Sequence, residues 1–193
     1  MKQPIVTVFG SSRSGPEEEA YREAVLLGER LAAAGIGIAT GGYGGIMEAA
    51  LRGAAPFDVP RIGIIADELA QRRVNPFVGE LVRTRSYLER LQRLLHLGDG
   101  YALFPGGTGT LLELLSIWAL SERGLLPPKP TVCIGVRWRE LLSCLRSGLE
   151  GSPAIPPHVS IVATAQEAAE YLIAQLQGQP KEPPIRQHRA QGG

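Results

Sequence analysis

Five consecutive residues near the middle of the chain have the types and spacing needed to hold an anionic group. Residues 105–110 read Pro-Gly-Gly-Thr-Gly-Thr and separate an apolar run from a stretch with apolar residues at helical spacing. A helix N-terminus offers unpaired N–H groups and about half a positive charge, and glycines let an anion approach its backbone. A plain strand-to-helix turn would need only one glycine. The segment is therefore predicted to bind a phosphate through Gly106, Gly107, Thr108, Gly109 and Thr110.

Two charged residues near this segment have more than one interpretation. Thr110 and Glu113 have the spacing of a capping box, in which the two residues cap the start of a helix reciprocally. The spacing alone favours this capping role over the alternative, that Glu113 acts as a catalytic carboxylate beside a bound ligand. Arg90 lies between Glu89 and Arg93, and this spacing alone is typical of a solvent-exposed helix face.

A second glycine-rich segment, residues 40–45, reads Thr-Gly-Gly-Tyr-Gly-Gly. Neither glycine segment completes the dinucleotide fingerprint G-x-G-x-x-G, because Met47 and Leu112 occupy the final glycine positions. The pattern G-x-x-x-x-G-K-[ST] of an ATP-hydrolysing P-loop is absent as well. These absences leave a mononucleotide or a sugar phosphate as the expected ligand.

Buried-type apolar runs alternate with helical patterns along the chain. Strands are predicted at residues 5–9, 35–39, 61–66, 80–83, 101–104, 131–136 and 158–163. Helices are predicted at residues 16–34, 46–52, 86–97, 111–123, 138–145 and 166–177. This alternation indicates a single α/β domain: a Rossmann-like, doubly wound parallel sheet with helices on both faces. The domain is predicted to span residues 1–178, followed by a mobile tail rich in proline and glutamine at 179–193.

Three glycine-bearing loops follow predicted strands, at residues 10–15, 41–45 and 106–109. Right-handed crossovers bring the carboxyl ends of parallel strands to one edge of the sheet. We therefore expect these loops to form one ligand site, at the point where the strand order reverses.

The composition excludes several classes of function. Among 193 residues the net charge is +1, which argues against nucleic acid or an anionic membrane as a partner. Cys133 and Cys144 do not make a disulfide framework, and neither a signal peptide nor a long apolar segment is apparent, so we expect a cytoplasmic protein. The histidines are isolated in the sequence, so no metal site is predicted: His96, His158 and His188.

The motifs resemble those of a known family, the LONELY GUY-type phosphoribohydrolases, many of which carry the label "lysine decarboxylase-like". The family hallmark P-G-G-x-G-T-x-x-E is complete from Pro105 to Glu113, and the family's second glycine motif is similar to Thr-Gly-Gly-Tyr-Gly-Gly-Ile-Met-Glu-Ala at 40–49. The segment Val-Phe-Gly-Ser-Ser-Arg at 8–13 and the pair Asn75-Pro76 also resemble the family. The similarity extends from about residue 5 to residue 136.

This resemblance implies a doubly wound fold, a homodimer or larger homo-oligomer, and no cofactor. It also implies hydrolysis of the N-glycosidic bond of a nucleoside 5′-monophosphate, such as AMP or N6-modified AMP, to a free base and ribose 5-phosphate. Arg90 and Glu113 match the catalytic pair of the family. The implied nucleotide-binding set extends beyond residues 106–110 to Ser11, Gly41, Gly42, Gly44, Gly45 and Met47.

Two positions depart from the family pattern: Leu91 stands where many members have lysine, and Leu112 where many have an acid. They keep open a second function, a nucleotide-binding protein of the same fold that does not hydrolyse its ligand. A relative that handles single-stranded DNA is a third alternative, which the near-neutral charge disfavours. Lysine decarboxylation is not expected, because no evident pyridoxal-phosphate lysine stands among Lys2, Lys129 and Lys181.

Overall fold

All seven apolar runs predicted to be strands form strands of one sheet. In the computed structural model, which describes residues 3–148 and 155–178, every neighbouring pair of strands is parallel. The strands are β1 (Ile5–Phe9), β2 (Gly37–Thr40), β3 (Arg61–Ala66), β4 (Glu80–Thr84), β5 (Gly100–Leu103), β6 (Thr131–Ile134) and β7 (Val159–Val162). The predicted tail at 179–193 lies outside the described residues.

Six α-helices connect or follow the strands in the described part of the chain, and a short 3-10 turn (Asp67–Leu69) follows β3. The helices are α1 (Glu19–Ala33), α2 (Ile46–Ala54), α3 (Tyr87–Leu97), α4 (Thr108–Glu122), α5 (Arg137–Gly148) and α6 (Ala165–Gln177). Ser86 caps the N-terminus of α3, because its hydroxyl accepts a hydrogen bond from the Glu89 N–H at 3.2 Å.

The strand order across the sheet is β4-β3-β2-β1-β5-β6-β7. The chain therefore winds outward from β1 in one direction, and it returns to the other side of β1 with β5. The loops after β1 and β5 leave in opposite directions, which opens a crevice at the carboxyl ends of these strands. The predicted Rossmann-like, doubly wound sheet and its reversal in strand order are confirmed.

Alternate side chains of β1 enter two separate cores, one on each face of the sheet. Val6 and Val8 pack with the buried faces of α1, α2 and α6. Ile5 and Phe9 pack with the buried faces of α3, α4 and α5. Both faces of the sheet are thus covered by helices, which explains why its central strands are buried along their whole length, whereas the edge strand β4 keeps the exposed residues Glu80 and Arg83.

Helices α1 and α2 approach each other closely through two glycines. A Cβ atom on Gly28 would lie 2.1 Å from the Ala50 carbonyl oxygen, and one on Gly53 would lie 2.0 Å from the Val25 carbonyl oxygen. Neither carbonyl belongs to a flexible side chain, so a larger residue would force the helix backbones apart. The close contact fixes α2, which begins directly after the second glycine loop.

We expect Gly28→Ala to lower the free energy of unfolding by about 1–3 kcal/mol, through overpacking between α1 and α2. Helix propensity alone would raise the free energy of unfolding, since alanine in a helix interior is favoured over glycine by about 1 kcal/mol. Gly148→Ala is the matched control, because no atom of residues 3–148 or 155–178 lies within 4 Å of the added Cβ. Denaturant unfolding of both variants measures the difference, and equal stabilities would contradict the packing argument.

Candidate active site

A cleft of about 460 Å³ lies at the carboxyl edge of the sheet, where the strand order reverses. The loops after β1, β2 and β5 all contribute to its wall, as the sequence predicts. The turn after β3 and the helices α3 and α4 complete it. Among the residues that line the cleft, those of the sequence prediction are Ser11, Gly41, Met47, Arg90, Gly107, Thr108, Gly109, Thr110 and Glu113.

Arg90 is a buried cation that forms no salt bridge with any acid in the described part of the chain. It lies on α3 with 5% of its surface exposed, and its Nε donates a hydrogen bond to the Ile64 carbonyl oxygen at 2.7 Å. Its guanidinium lies 5.5 Å from the centre of the Tyr43 ring and 5.7 Å from that of Tyr87. No carboxylate oxygen of the described residues lies within 4.0 Å of it. Burial accordingly lowers the pKa of Arg90, and the negative charge of Glu113 partly opposes this shift.

Gly41 provides the space that the Arg90 guanidinium occupies. A Cβ at Gly41 would lie 1.5 Å from Arg90 Nη2 and 2.7 Å from Met47 Sδ. Nη2 itself lies 3.9 Å from this sulfur atom. Any side chain at position 41 would therefore displace the guanidinium, so the second glycine loop positions a side chain as well as lining the cleft.

Glu113 lies within the second turn of α4, with 8% of its surface exposed, and it faces the cleft. Burial raises the pKa of its carboxyl group to about 8, and the charge of Arg90 acts in the opposite direction. Arg90 and Glu113 are thus a buried guanidinium and a buried carboxyl group on the wall of one cleft, and they do not form a close ion pair. Such a combination of burial and mutual charge is common at functional sites.

The capping interpretation of Thr110 and Glu113 is wrong. Helix α4 begins at Thr108, three residues earlier than predicted, with Gly107 at the N-cap and no side-chain hydrogen bond there. The Leu111 N–H donates to the Gly107 carbonyl oxygen at 3.1 Å, so Thr110 is already inside the helix. The glycines let the backbone enter the helix early, and the uncapped N-terminal residues of α4 line the cleft.

Four of the predicted nucleotide-binding glycines do not line the cleft. Gly106 packs beneath Thr110, because a Cβ there would lie 2.1 Å from the Thr110 hydroxyl oxygen. Gly45 has φ +70°, and a Cβ there would lie 2.2 Å from the Ser11 carbonyl oxygen. Gly42, with φ +76°, and Gly44 belong to the same loop. These residues bring the loops together, and their phosphate-binding role stays a prediction.

The cleft also contains side chains that the sequence analysis did not single out. Tyr43 is buried inside the second glycine loop, and its carbonyl oxygen accepts a hydrogen bond from Asn75 Nδ2 at 2.9 Å. Leu69, Arg72 and Tyr87 in the cleft wall were not predicted either, whereas Ser12 and Arg13 come from the predicted loop at 10–15. An aromatic residue inside a glycine loop was the available signal for Tyr43, whereas Arg72 stands in no motif.

The two departures from the family pattern do not lie in the cleft wall. Leu91 is buried in the apolar core beneath α3, with Leu94 and Leu95. Leu112 is 39% exposed on α4 and is not among the residues that line the cleft. Neither leucine therefore stands in the place of a polar group between Arg90 and Glu113.

The remaining expectations concern metals and membranes. Within residues 3–148 and 155–178, no group of three or more histidine, cysteine, aspartate or glutamate side chains is placed to hold a metal ion. His188 lies outside these residues. No helix in the described part of the chain has the length and apolar character required to cross a membrane. The expected homo-oligomer and the expected cytoplasmic location stay predictions.

We expect Glu113→Gln to be more stable than the wild type above neutral pH. The pKa of Glu113 rises from 4.5 to about 8 on folding, so the wild type loses stability as pH increases from about 4.5 to about 8. Glutamine does not ionise, and its stability advantage should grow across this window by up to about 1.4 kcal/mol per pH unit. Denaturant unfolding at pH 5, 6.5 and 8 measures this advantage.

The matched control is Glu140→Gln, at an exposed position on α5. It should leave the pH dependence of stability unchanged. An equal effect of Glu113→Gln at all three pH values would show that the buried carboxyl does not titrate as described.

Comparison with solved structures supports the fold. A molybdenum cofactor binding protein from Rippkaea orientalis is 24% identical, with a TM-score of 0.71, over 91% of this chain and 99% of that chain. A molybdenum cofactor carrier protein from Chlamydomonas reinhardtii is 21% identical, with a TM-score of 0.66, over 91% and 99% of the two chains. At these identities the similarity concerns the fold alone.

Comparison with curated proteins and families gives closer sequence relationships. A cytokinin riboside 5′-monophosphate phosphoribohydrolase from Arabidopsis thaliana is 30% identical over 89% of this chain and 81% of its own length. A pyrimidine/purine nucleotide 5′-monophosphate nucleosidase from Escherichia coli is 33% identical, but over 58% of this chain and 26% of its own length. The family model described as "Possible lysine decarboxylase" matches residues 47–176, which is more than half of the chain. The chain therefore belongs to this family, that of the LONELY GUY-type phosphoribohydrolases.

Proposed function

We propose that this protein hydrolyses the N-glycosidic bond of a nucleoside 5′-monophosphate, AMP or N6-modified AMP, to a free base and ribose 5-phosphate. The observation that carries the proposal is the placement of buried Arg90 and buried Glu113 on the cleft into which the N-terminus of α4 opens. Relatives named as phosphoribohydrolase and nucleotide nucleosidase support the same reaction class.

The phosphate of the substrate would bind at the N-terminus of α4. Gly107, Thr108 and Gly109 present unpaired backbone N–H groups there, and the first turn of the helix carries no acidic residue to repel an anion. The threonine hydroxyls of this segment add donors. Binding at this end would direct the sugar toward the interior of the cleft, where Arg90 and Glu113 lie.

Arg90 would hold oxygen atoms of the ribose or the phosphate. Its Nε is committed to the Ile64 carbonyl, which leaves the two Nη groups for a ligand. A planar guanidinium donates two parallel hydrogen bonds in a fixed geometry. Because the group is already buried and stacked between aromatic rings, it need not be reorganised when the substrate binds.

Glu113 would act in its ionised form. As the bond between the base and C1′ breaks, positive charge develops on the ribose, and a carboxylate nearby stabilises it. The same carboxylate would accept a proton from a water molecule whose oxygen bonds to C1′. This proton would then pass to the departing base, so that one water molecule is consumed and the carboxylate is regenerated.

Lysine decarboxylation is not part of the proposal, despite the description of the family. Lys129 is the one lysine among residues 3–148 and 155–178, and it lies just before β6, at the edge of the sheet opposite the cleft. Its Nζ donates hydrogen bonds to the carbonyl oxygens of Leu95 at 2.9 Å and Gly98 at 2.6 Å. This lysine therefore stabilises the C-terminal end of α3.

The elevated pKa of Glu113 favours a second candidate, a protein that binds the nucleotide without hydrolysing it. With a pKa of about 8, most Glu113 side chains are protonated at pH 7. A neutral carboxyl group can donate a hydrogen bond to a ligand but cannot accept the proton of water. The pH dependence of base release separates the two functions.

We expect the wild type to release adenine and ribose 5-phosphate from AMP, as measured by chromatography. Glu113→Gln and Arg90→Ala should each lower kcat/KM at least about 100-fold, since each removes a group that acts on the reacting sugar. Arg93→Ala and Glu122→Gln are the matched controls on α3 and α4, outside the cleft, and should retain activity.

Nucleotide binding without base release by the wild type would support the second candidate instead. Full activity of Glu113→Gln would exclude Glu113 as the base. Thermal unfolding of each variant establishes that a loss of activity does not reflect a loss of fold.

For the hydrolase, kcat/KM for AMP should rise with pH and level off above about 8. Only ionised Glu113 can accept a proton, and the pKa of this group in the folded protein is raised to about 8. Initial rates between pH 5.5 and 9.5 define the profile. A rate that is constant over this range, or one that falls from pH 6 to pH 8, would contradict the assignment of Glu113 as the base.

A further inference from the structure

We propose that Arg72 binds the 5′-phosphate and makes the cleft select nucleotides over nucleosides. This inference rests on the proposed function, because it assigns a contact to the phosphate of the same substrate. Arg72 lies in the turn that follows Asp67–Leu69, and it lines the cleft although its surface is exposed. No motif of the sequence includes it.

The Arg72 guanidinium is directed toward the loop after β1. Its Nη1 lies 3.5 Å from the Ser12 hydroxyl oxygen, to which it can donate a hydrogen bond. Its Cζ lies 5.8 Å from the centre of the Tyr43 ring. Arg72 thus spans the mouth of the cleft, from the second glycine loop to the first.

The loop after β1 adjoins the segment predicted to bind phosphate. The Ser11 N–H donates to the Pro105 carbonyl oxygen at 3.3 Å, and a Cβ at Gly106 would lie 3.1 Å from the Ser11 nitrogen. Ser12 is the next residue and lines the same cleft. A phosphate at the N-terminus of α4 would therefore have Ser12 and Arg72 on its outer side.

Nearby acids do not neutralise Arg72 within the described residues. The Asp67 Oδ1 atom lies 3.9 Å from Arg83 Nη1, and Glu68 Oε2 accepts a hydrogen bond from the Tyr87 N–H at 2.8 Å. Arg72 also lies close enough to Arg90 for its charge to lower the pKa of that group further. An anion between the two guanidinium groups would relieve this repulsion, as a phosphate does when two cations share it.

The turn that carries Arg72 is tied to the second glycine loop. The Asn75 N–H donates to the Gly42 carbonyl oxygen at 3.0 Å, and Asn75 Nδ2 donates to the Tyr43 carbonyl oxygen at 2.9 Å. Asn75 is itself buried, which keeps both bonds away from water. The backbone near Arg72 is therefore held in place before any ligand binds, which lowers the entropic cost of the contact.

The test compares AMP with adenosine, which lacks the phosphate. Arg72→Leu should weaken AMP binding about 10- to 100-fold in calorimetry and leave adenosine binding unchanged. Arg72→Lys, which keeps the charge but loses the guanidinium fork, should weaken AMP binding less. Arg73→Leu is the matched control, since Arg73 is the exposed neighbour and does not line the cleft. Adenine release from AMP is measured for the same four proteins.

The possible failures of the two proposals can be distinguished. Equal AMP affinities of Arg72→Leu and Arg73→Leu, with adenine released by the wild type, overturn the phosphate contact and leave the hydrolase proposal intact. A similar loss of adenosine and AMP binding in Arg72→Leu also overturns it, because Arg72 would then act through Tyr43. Arg72-dependent AMP binding without adenine release overturns hydrolysis alone. A wild type that binds no AMP overturns both.

Discussion

The rest of the cleft depends on one constraint, a buried guanidinium that no carboxylate of the described residues pairs with. Removing the Arg90 charge from water costs free energy, and the fold offsets this cost with one carbonyl oxygen, two aromatic faces and the distant charge of Glu113. Gly41 must lack a side chain for the guanidinium to fit. Among the described residues, no hydrogen bond joins either Nη group to an oxygen atom, so a ligand rich in oxygen atoms would supply acceptors that these residues do not.

Local sequence patterns were sufficient to predict the layers of the fold and the edge of the sheet that carries the cleft. Apolar runs such as Ile5–Phe9 predict buried strands, because a strand covered on both faces has few polar positions. The glycine segment after β5 indicated both a tight backbone and an approach for a ligand. Arg90 was different: its neighbours Glu89 and Arg93 predict an exposed helix face, and only the family resemblance pointed to it.

The parts that could not be predicted depend on contacts between distant segments. The capping interpretation failed because Gly107 lets α4 begin at Thr108, a backbone choice that the Thr-x-x-Glu pattern does not reveal. Tyr43 and Arg72 meet because β3 pairs beside β2, which brings the turn after β3 against the loop after β2. Spacing along the sequence does not show which loops lie together in the folded sheet, so Arg72 was not a candidate.

The backbone of Ser11 connects two walls of the cleft. Its N–H bonds to the loop after β5, and its carbonyl oxygen accepts the Ile46 N–H at 2.9 Å, at the start of α2. One peptide segment thus links the walls that would hold the phosphate and the arginine. The two walls therefore share one backbone anchor, and the spacing between them depends on the conformation of a single residue.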